Sequence, residues 1–187
     1  MKNYLATLLA CFLFTSLSAN FVSGQLVSTA KSETPPLSET LAWLSDRLVS
    51  DATFSPPDKY GRPLTLMFGF SPIRFQSCEL EWKHWIGSSL SGQSGYTVKT
   101  ISLAKLDTAK AVAESMTADG SVVGVSLGTA DGAKSIKSQY FRSGSVSPSV
   151  SFTATAEIYV KDVESSARIT KAFQHAILLC QNQKEPF

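Results

Sequence analysis

A chain of 187 residues, 43% hydrophobic and 17% charged, with a formal net charge of +2, has room for one core but not for two. Its Lys and Arg residues form no cluster, which excludes a nucleic-acid surface or a polybasic membrane contact.

The N-terminus reads as an export signal. Lys2 is followed by the uncharged run Tyr4–Leu17, the length of a signal-peptide h-region and short of the roughly 20 apolar residues that span a bilayer. Cleavage after Gly24 is expected, leaving Gln25 first, with Ser18 or Ala19 as the second choice. Leu8-Leu9-Ala10-Cys11 resembles a bacterial lipobox, but the residues after Cys11 stay hydrophobic where a lipoprotein tether is polar. The mature chain would keep 163 of 187 residues (187 − 24) and a charge of +1 once Lys2 is removed. No second apolar run reaches spanning length. Residues 25–37 are polar with a Pro pair and read as a flexible linker.

A single domain is expected over 38–182, with a tail at 183–187. Ser38 is the expected N-cap of an amphipathic helix in which Leu41, Leu44 and Leu48 form one stripe. From Leu64 the period becomes two. Cys78, Leu80, Trp82 and Ile86 alternate with Glu79, Glu81, Lys83 and Trp85 in a long strand with one buried and one solvated face. Gly87–Gly95 has hairpin-turn composition. The return strand, Tyr96–Leu106, slips in its alternation between Val98 and Ile101, which predicts a bulge or bend. Thr108–Ser115 suits a short helix or a turn. Val122, Val123, Val125 and Leu127 mark another strand and Ile136–Phe141 a weaker one. Phe152–Lys161 has the cleanest alternation. Asp162 then caps a closing helix whose stripe is Ile169, Phe173, Ala176 and Cys180.

Strands grouped in one run between two helices predict an α+β fold: an antiparallel sheet or partly closed barrel of about six strands, with an N-terminal helix and a C-terminal closing helix. Ile101–Asp107, the strand at 122–128, and Thr153–Lys161 running into Ser165–Leu179 together resemble a pleckstrin-homology-type barrel. In that superfold a late strand feeds a helix that plugs one opening. The segments ETLAWLSDRL and AFQHAILLC also look like those of uncharacterised exported bacterial proteins. The resemblance implies an architecture and carries no activity. The basic phosphoinositide-reading loop of lipid-binding members has no counterpart here.

Three cysteines are present. Cys11 leaves with the signal, so Cys78 and Cys180 are expected to pair in an oxidising compartment. Two cysteines and two histidines are too few for a zinc site, and neither a metal nor a cofactor is expected. Gly124-Val125-Ser126-Leu127-Gly128 matches the G-x-S-x-G nucleophile elbow, and Asp162 and His175 follow in triad order. Against it, the chain lacks an alternating βαβ pattern, and Gly132 interrupts the segment that should be helical. A Cys–His dyad is removed by the disulfide, and Glu79 with Glu81 reads as a solvated sheet face. Trp85 stands on the solvated face beside His84, which makes that strand end, with the 87–95 loop, the favoured binding surface. The leading expectation is therefore an exported, periplasmic or secreted, non-catalytic module binding an unknown protein or small ligand. A serine hydrolase using Ser126 and an envelope protein lipid-anchored through Cys11 are the alternatives.

Overall fold

The computed structural model describes residues 34–56, 66–88, 92–93, 95–118 and 120–183. The signal peptide, Cys11, most of the 25–37 linker, residues 184–187 of the tail and the tip of the 87–95 loop lie outside the described residues. No helix among those described is long and apolar enough to cross a membrane.

The first helix, α1, spans Leu37–Asp51. Ser38 is not its N-cap: Pro36 takes that place without any side-chain cap. The Pro36 carbonyl instead receives the Thr40 N–H at 3.0 Å and the Thr40 hydroxyl at 3.2 Å. Leu41, Leu44 and Leu48 are buried as one stripe. The closing helix, α2, spans Val163–Asn182 and begins where the sequence placed it. Both carboxylate oxygens of Asp162 are used there, one taking the Ser165 N–H at 2.6 Å and the other the Ser165 hydroxyl at 3.1 Å. Ile169, Phe173, Ala176 and Cys180 all face inward.

Among the described residues ten strand segments run between the helices: β1 (Leu66–Phe70), β2 (Arg74–Gln76), β3 (Glu79–Ser88), β4 (Gly92–Gln93), β5 (Gly95–Ser102), β6 (Val112–Ser115), β7 (Val123–Gly128), β8 (Ile136–Arg142), β9 (Ser149–Thr153) and β10 (Thr155–Val160). They form two antiparallel sheets. The larger has the order β1-β3-β5-β8-β9, with the short β2 and β4 also paired to β3. The smaller is β10-β7-β6. One 3-10 turn follows β5 at Leu103–Lys105 and another, at Thr108–Lys110, precedes β6. The segment 108–115 is thus a turn and a strand rather than a helix. Gln181 and Gln174 of α2 hold this connection, donating to the Leu106 carbonyl at 2.6 Å and the Ala111 carbonyl at 3.0 Å.

Two expectations about strands change. No bulge interrupts 98–101: β5 keeps one register with β3 from Glu79↔Ser102 to His84↔Thr97. The alternation slips because Val98 is an apolar residue on the outer face while Ile101 is buried on the inner one. The alternating run at 152–161 is two strands in two sheets. The chain bends at Ala154, whose carbonyl accepts the Thr129 N–H at 2.9 Å.

One apolar core joins the α1 leucines, the α2 stripe, Leu80, Trp82, Ile101 and Ile136 of the large sheet, and Val123, Val125, Leu127, Ile158 and Val160 of the small one. Two crosslinks close it. Cys78 is bonded to Cys180 with a Cα–Cα separation of 5.7 Å, which ties the start of β3 to the last turns of α2. At the other end the buried Asp51 carboxylate lies between Arg47 Nε at 2.7 Å and Lys161 Nζ at 2.8 Å. Burial alone would raise the pKa of this carboxyl; hydrogen bonds from Lys161 and Ser165, with the charges of Lys161 and Arg47, hold it below the ordinary value. The pair joins α1 to the corner between β10 and α2.

Candidate functional site

The register decides which side chains share the inner face of the large sheet. Paired side chains point the same way, so Leu80, Trp82 and His84 of β3 align with Ile101, Lys99 and Thr97 of β5. Ser138 of β8 stands opposite Lys99 and Tyr140 opposite Thr97. Ser151 and Ser149 of β9 extend the same two rows. The first row, Leu80-Ile101-Ile136, is fully apolar and belongs to the core. Beyond Trp82 the inner face turns polar, with a histidine, a lysine, a tyrosine and the four hydroxyls of Thr97, Ser138, Ser149 and Ser151 where a core would continue.

Strand β10 lies across this polar end. Ala156, Ile158 and Val160 face the core, so Glu157 and Tyr159 point the other way. The Tyr159 ring sits 5.4 Å from the ring of Phe68, and its hydroxyl donates to Glu157 Oε2 at 2.8 Å. A narrow crevice of about 10 Å³ between β10 and the sheet, room for one water, is lined by Phe68, Phe70, His84, Ile86, Glu157 and Tyr159. On the far side of Ile86 a cavity of about 170 Å³ is lined by His84, Gly95, Thr97 and Tyr140 among others. His84 lines both.

The groups here are partly desolvated and under-partnered. Burial pushes the His84 imidazole down to about 4, and the charge of Lys99 adds to the shift. His84 Nδ1 is buried without a hydrogen-bond partner among the described residues, as is Trp82 Nε1 in the row beside it. Burial likewise lowers the Lys99 ammonium, while Glu157 partly offsets this. No described carboxylate comes within ion-pair distance of Lys99. Burial raises the Tyr159 phenol, and the hydrogen bond and charge of Glu157 raise it further. Buried polar groups normally find partners, so two unpaired atoms in adjacent rows of one sheet face, beside a lysine without a described ion-pair partner, form a concentrated exception.

The His84 shift has a consequence for stability. Its folded pKa of about 4 lies below the ordinary value of 6.5. Below pH 6.5 the unfolded chain therefore takes the proton first. The contribution of neutral His84 is complete above 6.5 and is lost as pH falls toward 4. Asp51, with its lowered carboxyl, loses its contribution only below this window. Thermal melts between pH 7 and 4.5 should fall less for His84→Gln than for the native chain. Parallel curves would contradict the assignment.

The elbow residues are not brought together. Gly124–Gly128 lies wholly inside β7 and leads to a bridge at Thr129, so the strand-turn-helix that an elbow needs is absent there. The glycines have another cause. A side chain at Gly128 would stand 2.9 Å from Lys110 Cβ, and one at Gly124 would press on Met116. Ser126 is simply the sheet neighbour of Glu157. Asp162 is spent as the cap of α2, and His175 lies 13 residues along that helix, about 20 Å away at the α-helical rise. His175 instead faces a groove of about 460 Å³ beside Trp43, Lys171 and Ala172, its Nε2 lying 2.9 Å from the Pro35 carbonyl.

Of the favoured surface pair, His84 points inward and Trp85 outward. Trp85 is half-buried because its indole lies on Gly69 of β1, filling the place of the missing side chain. Beside it Lys83 Nζ stands 3.8 Å above the Tyr96 ring, and Tyr96 stacks on Phe141 at 4.7 Å. These aromatic faces are occupied by one another. Glu81 of the outer face pairs with Arg74 at 3.7 Å. Among the described residues no group of three His, Cys, Asp or Glu side chains is placed to hold a metal.

The sequence reading missed Lys99, Glu157 and Tyr159. Lys99 has the parity of Ile101 and was open to detection as a charge on an inward position. Glu157 and Tyr159 were not, since alternation along 152–161 does not say what their face lies against. No protein-family model matches the chain, and neither a curated protein nor a solved structure matches it.

Proposed function

We propose that the chain is an exported, non-catalytic binding module whose ligand enters at the polar end of the large sheet, where His84, Thr97 and Tyr140 line a cavity of about 170 Å³. The carrying observation is that Trp82 Nε1 and His84 Nδ1 are buried without a hydrogen-bond partner among the described residues, beside a partly buried Lys99 that forms no ion pair with a described carboxylate. Trp82 Nε1 is a donor and Lys99 Nζ a cation, and desolvating such groups is costly unless something completes their bonding. An acceptor-rich anionic group, a carboxylate or phosphate on a small molecule, meets that requirement. Neutral His84 adds a hydrogen bond of either sense. The same reading carries the finer architecture: two antiparallel sheets and a closing helix support a pleckstrin-homology-like frame. Export is supported by the signal-like N-terminus and by a disulfide compatible with an oxidising compartment.

The test is a thermal-shift panel on the chain from Gln25 onward, using inorganic phosphate, small mono- and dicarboxylates and glucuronate. A ligand at a hundred times its Kd stabilises by about 2.7 kcal/mol, a shift of several degrees. At least one anion class should raise the native melt and leave Lys99→Met unmoved. No shift with any anion, or equal shifts in both proteins, would refute the proposal.

A further inference from the structure

The large sheet ends on β9, whose only strand partner among the described residues is β8. A free edge is a row of unpaired N–H and C=O groups, and monomeric proteins usually blunt it with charge, proline, a bulge or a covering segment. Other edges here follow that rule. Phe54 forms a bridge outside β1, β2 carries Arg74, and the edge strand β6 of the small sheet carries Glu114. The sequence of β9, Ser-Val-Ser-Phe-Thr, holds no charge and no proline. Its five pairs with β8 run in one register without a bulge. On its outer face Val150 is 49% exposed and Phe152 is 55% exposed. An unprotected backbone edge and uncovered apolar side chains thus coincide on one strand.

We infer that this edge is the contact for a second copy of the chain, β9 pairing antiparallel with β9 about a two-fold axis. Such an interface must be self-complementary, and β9 is so on both faces. Its midpoint is Ser151. Pairing about that point sets Val150 beside Phe152 of the second copy on the outer face. On the inner face it sets Ser149 beside Thr153 of the second copy and Ser151 beside itself. Apolar meets apolar and hydroxyl meets hydroxyl, the cross-strand pairs that favour a ladder. The strand is uncharged, so no like charges are brought opposite one another. The two large sheets would become one continuous sheet, without any part of the ligand proposal being required.

Sedimentation across a micromolar to millimolar dilution series should show a reversible monomer–dimer equilibrium. Val150→Lys and Phe152→Lys, both at exposed positions, should each give a monomer with an unchanged circular-dichroism spectrum and melt. Because the two mature cysteines are bonded to each other, Ser151→Cys supplies a single free thiol. Mild oxidation should convert it rapidly to a covalent dimer, while Ser149→Cys, which would face Thr153 of the second copy, should crosslink slowly or not at all. A native chain that is monomeric throughout, a dimer surviving both lysine variants, or equal crosslinking at 149 and 151 would overturn the inference.

Discussion

Reduction of the Cys78–Cys180 bond is expected to remove about 4–5 kcal/mol of stability in the chain-entropy account of a loop this long, a drop of some 10–20 °C in Tm for a domain of this size. The bond joins positions 102 apart, so it excludes most of the open conformations of the chain between them. It also lies where few other forces act. Cys180 is in the final turns of α2, beyond which only Gln183 is described, and Cys78 is in the turn that opens β3. Without the bond, those last turns are held by the Gln181 hydrogen bond to Leu106 and by local packing. Cys180→Ala should give the same loss without reductant, and the native protein should resist thiol labelling until it is unfolded or reduced. Identical melts with and without reductant would contradict this account of the closing helix.

Leu44→Asp is expected to be as damaging by a different route. Leu44 is 0% exposed and lies in the core joined by both helices and both sheets. Truncating a buried leucine alone costs about 2–5 kcal/mol, and a carboxylate at that point must be desolvated with no partner or be protonated. A loss beyond about 4 kcal/mol places the change among the exceptional single substitutions and brings the native state close to its stability limit. Leu44→Met, which conserves volume, should cost less than about 1.5 kcal/mol. Comparing the three melts separates packing from charge. An unchanged Leu44→Asp melt would mean that α1 contributes nothing to the folded unit.

Much of the fold was legible because local rules act on few residues at a time. The Asp162 cap, the two helix stripes, the inward parity of Leu80 and Trp82 and the pairing of Cys78 with Cys180 all follow from periodicity or count. The division into two sheets was not legible. Strands β6 and β7 leave the meander, and β8 returns beside β5, a long-range choice that period-two alternation leaves open. The break at Ala154 was hidden because alternation continues across it while the sheet changes. The start of α1 shifted for a local reason: Pro36 lacks a donor and takes the cap position, so Ser38 is already helical. The site was half legible. His84 was selected for its neighbour Trp85, whereas its interest lies on the opposite face with Lys99. That Glu157 and Tyr159 confront them depends on how the small sheet folds over the large one.

The central claim is that the inner-face cation is retained for a ligand rather than for the fold. Groups kept for binding commonly cost stability, and replacing them tends to stabilise the free protein. The most direct measurement is therefore the melting temperature of Lys99→Met in ligand-free buffer. Methionine fills much of the same volume beside Trp82 and removes a desolvated charge that has no described ion-pair partner. The binding reading predicts that Lys99→Met melts above the native protein by a few degrees. A variant that melts below it would show that Lys99 serves the fold, and would contradict the claim.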